Sequence, residues 1–126
     1  TVLATAQRGV YDADARGLSP QRLQRHFLRG KGANAGRIRV QPALARRVSF
    51  RPLNLMDAHW DLGSAFDIVF CRNVMIYFDA PTQRRVLERL YTALKADGVL
   101  YVGHSENFSQ ARELFQLRGK TVYLKV

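Results

Sequence analysis

Phe66-Asp67-Ile68-Val69-Phe70-Cys71 is a nearly unbroken apolar run between Gly63 and the polar pair Arg72-Asn73, the pattern of a parallel strand covered on both faces. Downstream, Val86, Leu87, Leu90, Tyr91 and Leu94 recur at intervals that place them on one face of a helix. Asp79 stands where its carboxylate can accept the first N–H groups, Pro81 fits the first turn, and Asp97-Gly98 is expected to stop the helix. Val99-Leu100-Tyr101-Val102 reads as the next buried strand. Strand, helix and strand form a βαβ unit and so predict a parallel pair. Leu114 to Leu117 and Thr121 to Val126 then flank Arg118-Gly119-Lys120, a glycine turn that returns the chain antiparallel.

The first third is patterned more weakly. Thr1 to Gln7 reads as a helix tail with a glycine stop at Gly9. Ser19-Pro20 opens a short helix over Gln21 to Phe27, with Ser19 as cap and Leu23 and Phe27 on one face. Gly30, Gly32 and Gly36 punctuate Leu28 to Arg39, and Arg37-Ile38-Arg39-Val40 alternates as a half-exposed strand, which predicts a small antiparallel hairpin. Gly30 to Gly36 is read as a turn and not a phosphate loop: Lys31 precedes the wrong glycine, no Ser or Thr follows it, and no buried strand leads in. Ala43 to Arg47 is expected to make a helical turn, and Val48 to Leu53 a strand ending at Asn54-Leu55.

Charge changes this picture. Of the 20 Lys and Arg, eleven lie from Arg8 to Arg51 beside only Asp12 and Asp14, a net +9; from Pro52 onward nine basic residues face eight acids, a net +1. Such asymmetry marks a face that meets a polyanion, either nucleic acid or an acidic protein surface. A lone Cys71 excludes an intrachain disulfide and favours a reducing, cytoplasmic setting. His26, His59 and His104 lie far apart in sequence and sit beside no second Cys or His at ligand spacing, so no structural zinc site, and no metal, is expected. No apolar run approaches the roughly 20 residues that cross a bilayer, and no signal-peptide pattern opens the chain. Because it opens on Thr1 and not Met, the chain is read as a fragment of something longer.

In open α/β sheets ligands sit beyond the carboxyl ends of the strands. The residues placed there are Asn54-Leu55-Met56-Asp57, Arg72 to Phe78, and Gly103-His104-Ser105-Glu106-Asn107. The run Phe70-Cys71-Arg72-Asn73-Val74-Met75-Ile76-Tyr77-Phe78-Asp79, followed by Gly103-His104-Ser105-Glu106, resembles the chemotaxis receptor glutamate O-methyltransferases, the CheR family. The resemblance extends to Leu23 through Gly30, to Asn54-Leu55 and to Leu117 through Tyr123, and so covers essentially the whole chain.

That resemblance implies an α/β fold, the C-terminal part of a Rossmann-like S-adenosylmethionine-dependent methyltransferase sheet that ends in an antiparallel hairpin. A small antiparallel β subdomain would be inserted at about residues 9–47, and residues 48–126 would form the C-terminal half of the core. It implies methylation of glutamate side chains on the cytoplasmic signalling domain of chemoreceptors, an acidic protein substrate, with S-adenosylmethionine as cofactor. Cofactor contacts would fall on Asn54, Leu55, Arg72 and Asn73, and the methyl-transfer tyrosine on Tyr77. The family's glycine-rich loop and its ribose-binding acid would lie before Thr1, so the fragment is expected to be inactive alone and to associate with the missing N-terminal part.

Other residues receive plainer readings. His104 and Glu106 are taken as structural hydrogen-bonders, Cys71 as buried and inert, and Trp60 as packing. Two alternatives compete with the enzyme: a basic nucleic-acid-binding module, disfavoured because few aromatics interleave the arginines, and a non-catalytic receptor-docking scaffold. The favoured reading involves neither nucleic acid nor membrane insertion.

Overall fold

A computed structural model describes residues 1–14, 17–63, 65–104, 106–108 and 111–126. The chain divides into two compact units, Thr1–Pro52 and Leu53–Val126.

In the first unit, helix α1 (Val2–Arg8) starts where the Thr1 hydroxyl accepts from the Ala4 N–H and ends at Gly9, whose φ of 64° closes the last turn as only glycine does cheaply. Strand β1 (Val10–Asp12) follows. Ser19 caps helix α2 (Pro20–His26) by accepting from the Arg22 N–H, with proline at the helix start as the sequence predicts. The chain continues as strand β2 (Phe27–Arg29), strand β3 (Arg37–Val40) and helix α3 (Pro42–Ala45).

The three strands form an antiparallel sheet in the order β1-β3-β2. Ile38, in the central strand, is the buried residue of this sheet, while its neighbours Arg37 and Arg39 point to solvent. Gly30 to Gly36 is the hairpin connection, containing a 3-10 turn at Gly32–Asn34 and closed by the Gly30 N–H donating to the Arg37 carbonyl at 2.9 Å.

Strand β1 has no counterpart in the sequence reading, because three residues are too few to display alternation. The strand expected over Val48 to Leu53 is absent: the backbone there joins no sheet, and Val48, Phe50 and Leu53 are exposed. An extended segment needs a neighbour for its N–H and C=O groups, and among the described residues no strand pairs with it.

The second unit contains strand β4 (Phe66–Cys71), helix α4 (Ala80–Ala93), and strands β5 (Leu94–Val102), β6 (Phe115–Leu117) and β7 (Val122–Lys125). Its sheet runs β4-β5-β7-β6, with β4 and β5 parallel and the β6–β7 hairpin antiparallel, β7 lying against β5. The parallel pair and the closing hairpin are as the pattern predicts. Asp79 caps α4 by accepting from the Thr82 N–H at 2.9 Å. Hydrogen bonds from the Thr82 side chain and then its backbone hold the Asp79 carboxyl below its usual range. The stripe Val86, Leu87 and Leu90 is buried in one core with Leu94, Leu100, Val102, Phe108, Phe115 and Tyr123.

Two expectations here need correction. Helix α4 stops at Ala93, not at Asp97-Gly98, and Leu94 is already strand, paired with Phe66. Leu94 is buried among the other apolar residues and its carbonyl accepts from the Lys125 ammonium at 2.7 Å, so pairing and packing end the helix early. Asp97 then takes a left-handed φ of 63°, and a Cβ at Gly98 would stand 2.8 Å from the Lys95 carbonyl oxygen. The second correction concerns β4, which among the described residues pairs on one side only: Val69 and Cys71 are half-buried, whereas Ile68 and Phe70 are 53% and 68% exposed. Phe70 lies opposite Tyr101 of β5, and their rings stack with centroids 4.8 Å apart.

Candidate functional site

The site is built at the carboxyl ends of the two parallel strands. Beyond β4, Arg72 and Asn73 lead into a 3-10 turn, Met75–Tyr77, whose Met75 anchors it in the core. Asn73 has φ 59°, a left-handed conformation that asparagine tolerates better than most residues. Gln83, closing the first turn of α4, donates from Nε2 to the carbonyls of Met75 at 2.8 Å and Phe78 at 3.2 Å, fixing both ends of the 3-10 turn to the helix.

Beyond β5, Gly103 and Glu106 are buried. Glu106 is 5% exposed, and its two carboxylate oxygens accept three backbone N–H groups: Gly103 at 2.7 Å and Asn73 at 3.1 Å on Oε1, and Met75 at 2.9 Å on Oε2. The loops after β4 and β5 are therefore fastened to one carboxylate. Gly103 is required by closeness, because a Cβ there would strike Asn73 Oδ1 and stand 3.0 Å from Glu106 Oε1. Next along the chain, Phe108 is buried and its N–H donates to the Tyr123 hydroxyl at 3.2 Å, tying this segment to β7. Ser105 lies outside the described residues.

Arg72, Asn73 and Tyr77 thus share one short loop pinned beside Gly103. Tyr77 is 80% exposed, so its ring is no core aromatic. Arg72 is exposed as well, and neither its guanidinium nor the Tyr77 hydroxyl makes a hydrogen bond to the described residues. Asn54 and Leu55 lie in the same unit, in the segment before β4. Asn54 Oδ1 accepts from the Met56 N–H at 3.0 Å, and the Leu55 carbonyl accepts from Arg89 Nη1 of α4 at 3.3 Å. Leu55 packs on the core edge, and Trp60 is packed there as well, as expected of it, although its buried Nε1 has no partner among the described residues.

Sequence reasoning identifies Glu106 as a structural hydrogen-bonder but misses Gln83. One polar residue among several on α4 carries no signal that its amide turns back onto a preceding loop.

Cys71 closes β4 close to Glu106. Burial first, and then the Glu106 charge, push its thiol up to about 11. An ordinary thiol near 8.5 is about a quarter ionised at pH 8, against roughly one part in a thousand here, so a thiolate-specific reagent should modify Cys71 more than ~100-fold more slowly than a cysteine peptide. Equal rates in a stopped-flow labelling assay would contradict its burial.

The topology and this loop geometry define a mixed α/β domain with a polar loop at the ends of its parallel strands. The chain belongs to the family described as CheR methyltransferase, SAM binding domain, which matches residues 1–124. S-adenosylmethionine is accordingly the cofactor of this family. The chain is 55% identical to a chemotaxis protein methyltransferase of Klebsiella aerogenes over 97% of its own length and 42% of that relative. It is 50% identical to the chemotaxis protein methyltransferase of Escherichia coli, over 97% of this chain and 43% of the relative. With chemotaxis protein methyltransferase 2 of Pseudomonas aeruginosa it shares 48% identity over 97% and 44%. The chain thus spans less than half the length of these curated relatives. No helix of the described residues is long and apolar enough to cross a membrane.

Proposed function

We propose that this chain forms the C-terminal portion of a Rossmann-like catalytic domain that transfers a methyl group from S-adenosylmethionine to glutamate side chains of a chemoreceptor's cytoplasmic domain. The observation that carries the reading is the Arg72–Tyr77 loop, held beside the end of β5 with Arg72 and Tyr77 exposed and the Asn73 amide against Gly103. Residues 9–47 are proposed as an inserted β subdomain, and the net +9 of Arg8 to Arg51 suits an acidic receptor surface. The reaction is proposed for a protein of its relatives' length, with the isolated chain inactive.

The donor set suits the cofactor. Arg72 offers a planar fork for its carboxylate, Asn54 and Asn73 offer amides that donate and accept, and Leu55 offers an apolar wall. When bound, S-adenosylmethionine supplies an electrophilic methyl on a sulfonium. Tyr77 lines the transfer site, with its ring toward positive charge or its hydroxyl toward the incoming carboxylate. A glutamate with a pKa near 4.3 is ionised at neutral pH, so the transfer needs no general base. The protein's task is alignment and exclusion of water, worth roughly 7 to 11 kcal/mol of barrier.

Calorimetric titration of S-adenosylhomocysteine into the full-length protein, paired with a methyl-transfer assay on a receptor domain, tests this. Tyr77→Phe is expected to lower turnover about tenfold while leaving affinity for S-adenosylhomocysteine within about twofold. Unchanged turnover would take Tyr77 out of the transfer site, and salt-sensitive binding of RNA or DNA with none of the receptor domain would replace the whole reading.

A further inference from the structure

We infer that Glu106 is a positioning residue for the methyl-transfer site: its buried carboxylate holds the backbone of Asn73 and Met75, and through them the presentation of Arg72 and Tyr77. The inference rests on the proposed function, which it deepens.

Three observations point the same way. Glu106 spends both oxygens on backbone donors drawn from two separate loops, Gly103 after β5 and Asn73 and Met75 after β4. One of those donors belongs to Asn73, whose left-handed backbone is uncommon for a residue with a side chain and persists when its surroundings over-determine it. Another belongs to Met75, the first residue of the 3-10 turn that carries Tyr77. Gly103 completes the arrangement by leaving room for the carboxylate and for Asn73. An apolar side chain in its place would leave the Gly103, Asn73 and Met75 N–H groups without this acceptor. A carboxylate with three directed bonds fixes the orientation of the loop that bears Arg72 and Tyr77, and reactions governed by alignment are sensitive to displacements of an ångström.

The same carboxylate makes a direct reading of the clamp possible. In Glu106→Gln one acceptor oxygen becomes an NH2 group that faces backbone donors, with little change in volume. Amide hydrogen exchange, followed by NMR in the full-length protein, is expected to accelerate at least about tenfold at Asn73, Met75 and Gly103. S-adenosylhomocysteine affinity is expected to fall about tenfold, and turnover by more. Glu106→Asp, which keeps both oxygens, should recover part of each loss. Leu90→Ala serves as a control that weakens the core while keeping the Glu106 carboxylate and its three acceptor bonds; assayed at a temperature where every variant is folded, it should leave affinity and turnover per folded molecule near the parent's. Unchanged exchange in Glu106→Gln would overturn the clamp. Faster exchange with parental affinity and turnover would overturn the positioning role. Absence of S-adenosylhomocysteine binding by the parent would remove the proposed function and the positioning role with it, while the three amides would still report the clamp.

Discussion

Replacing Leu87 with alanine is expected to destabilise the Leu53–Val126 unit by about 3 to 5 kcal/mol, near the upper end for a leucine truncated inside a packed core. Leu87 is fully buried on the inner face of α4, and it packs with Val86, Leu90, Leu100 and Val102 in the apolar core of that unit. The loss combines two effects, the apolar surface no longer removed from water and the cavity left by neighbours that cannot collapse onto it. Leu117→Ala supplies the contrast. At 58% exposure on the edge strand β6 it should cost less than about 1 kcal/mol. Urea unfolding of both variants checks the pair, and a Leu87→Ala loss below about 1 kcal/mol would mean that α4 does not pack on the sheet as described.

The second large effect is expected at Arg72. Removing a guanidinium that pairs with a ligand carboxylate costs about 1.5 to 3 kcal/mol, so Arg72→Ala in the full-length protein should weaken S-adenosylhomocysteine binding roughly 10- to 100-fold. Arg72→Lys keeps the charge but not the fork, and should recover only part of the affinity. Since the Arg72 guanidinium bonds to none of the described residues and its side chain is exposed, thermal stability should stay near the parent's in both variants. A drop in stability that tracks the drop in affinity would instead assign Arg72 a structural role, and equal affinity in all three proteins would remove it from the cofactor contacts.

Much of the second unit was legible because its signals are local. The cap at Asp79, the proline at the start of α4 and the three-and-four spacing of Val86, Leu87 and Leu90 each act within one or two helical turns. The glycine turn at Arg118-Gly119-Lys120 likewise announces its own hairpin. Where reading failed, the deciding partner was distant in sequence. Leu94 is spaced as a helix residue yet pairs with Phe66. Ile68 and Phe70 look doubly buried yet are exposed on a strand that pairs on one side only among the described residues. Val48 to Leu53 alternates as a strand but has no strand beside it among the described residues.

The candidate site divides along the same line. Sequence placed Arg72, Asn73, Tyr77 and Glu106 just beyond strands, because a strand's end is marked by where its apolar run gives out. It could not say that Glu106 reaches back 31 and 33 residues to the N–H groups of Met75 and Asn73, that Gln83 grips the 3-10 turn, or that Gly103 is glycine to make room for Asn73. By itself the amino-acid order determined which segments turn, coil or extend and which polar groups follow each strand, since those depend on neighbours a few residues apart. The tertiary structure alone decided which of those groups meet, because a buried carboxylate finds its hydrogen-bond donors through space, wherever the packed sheet brings them.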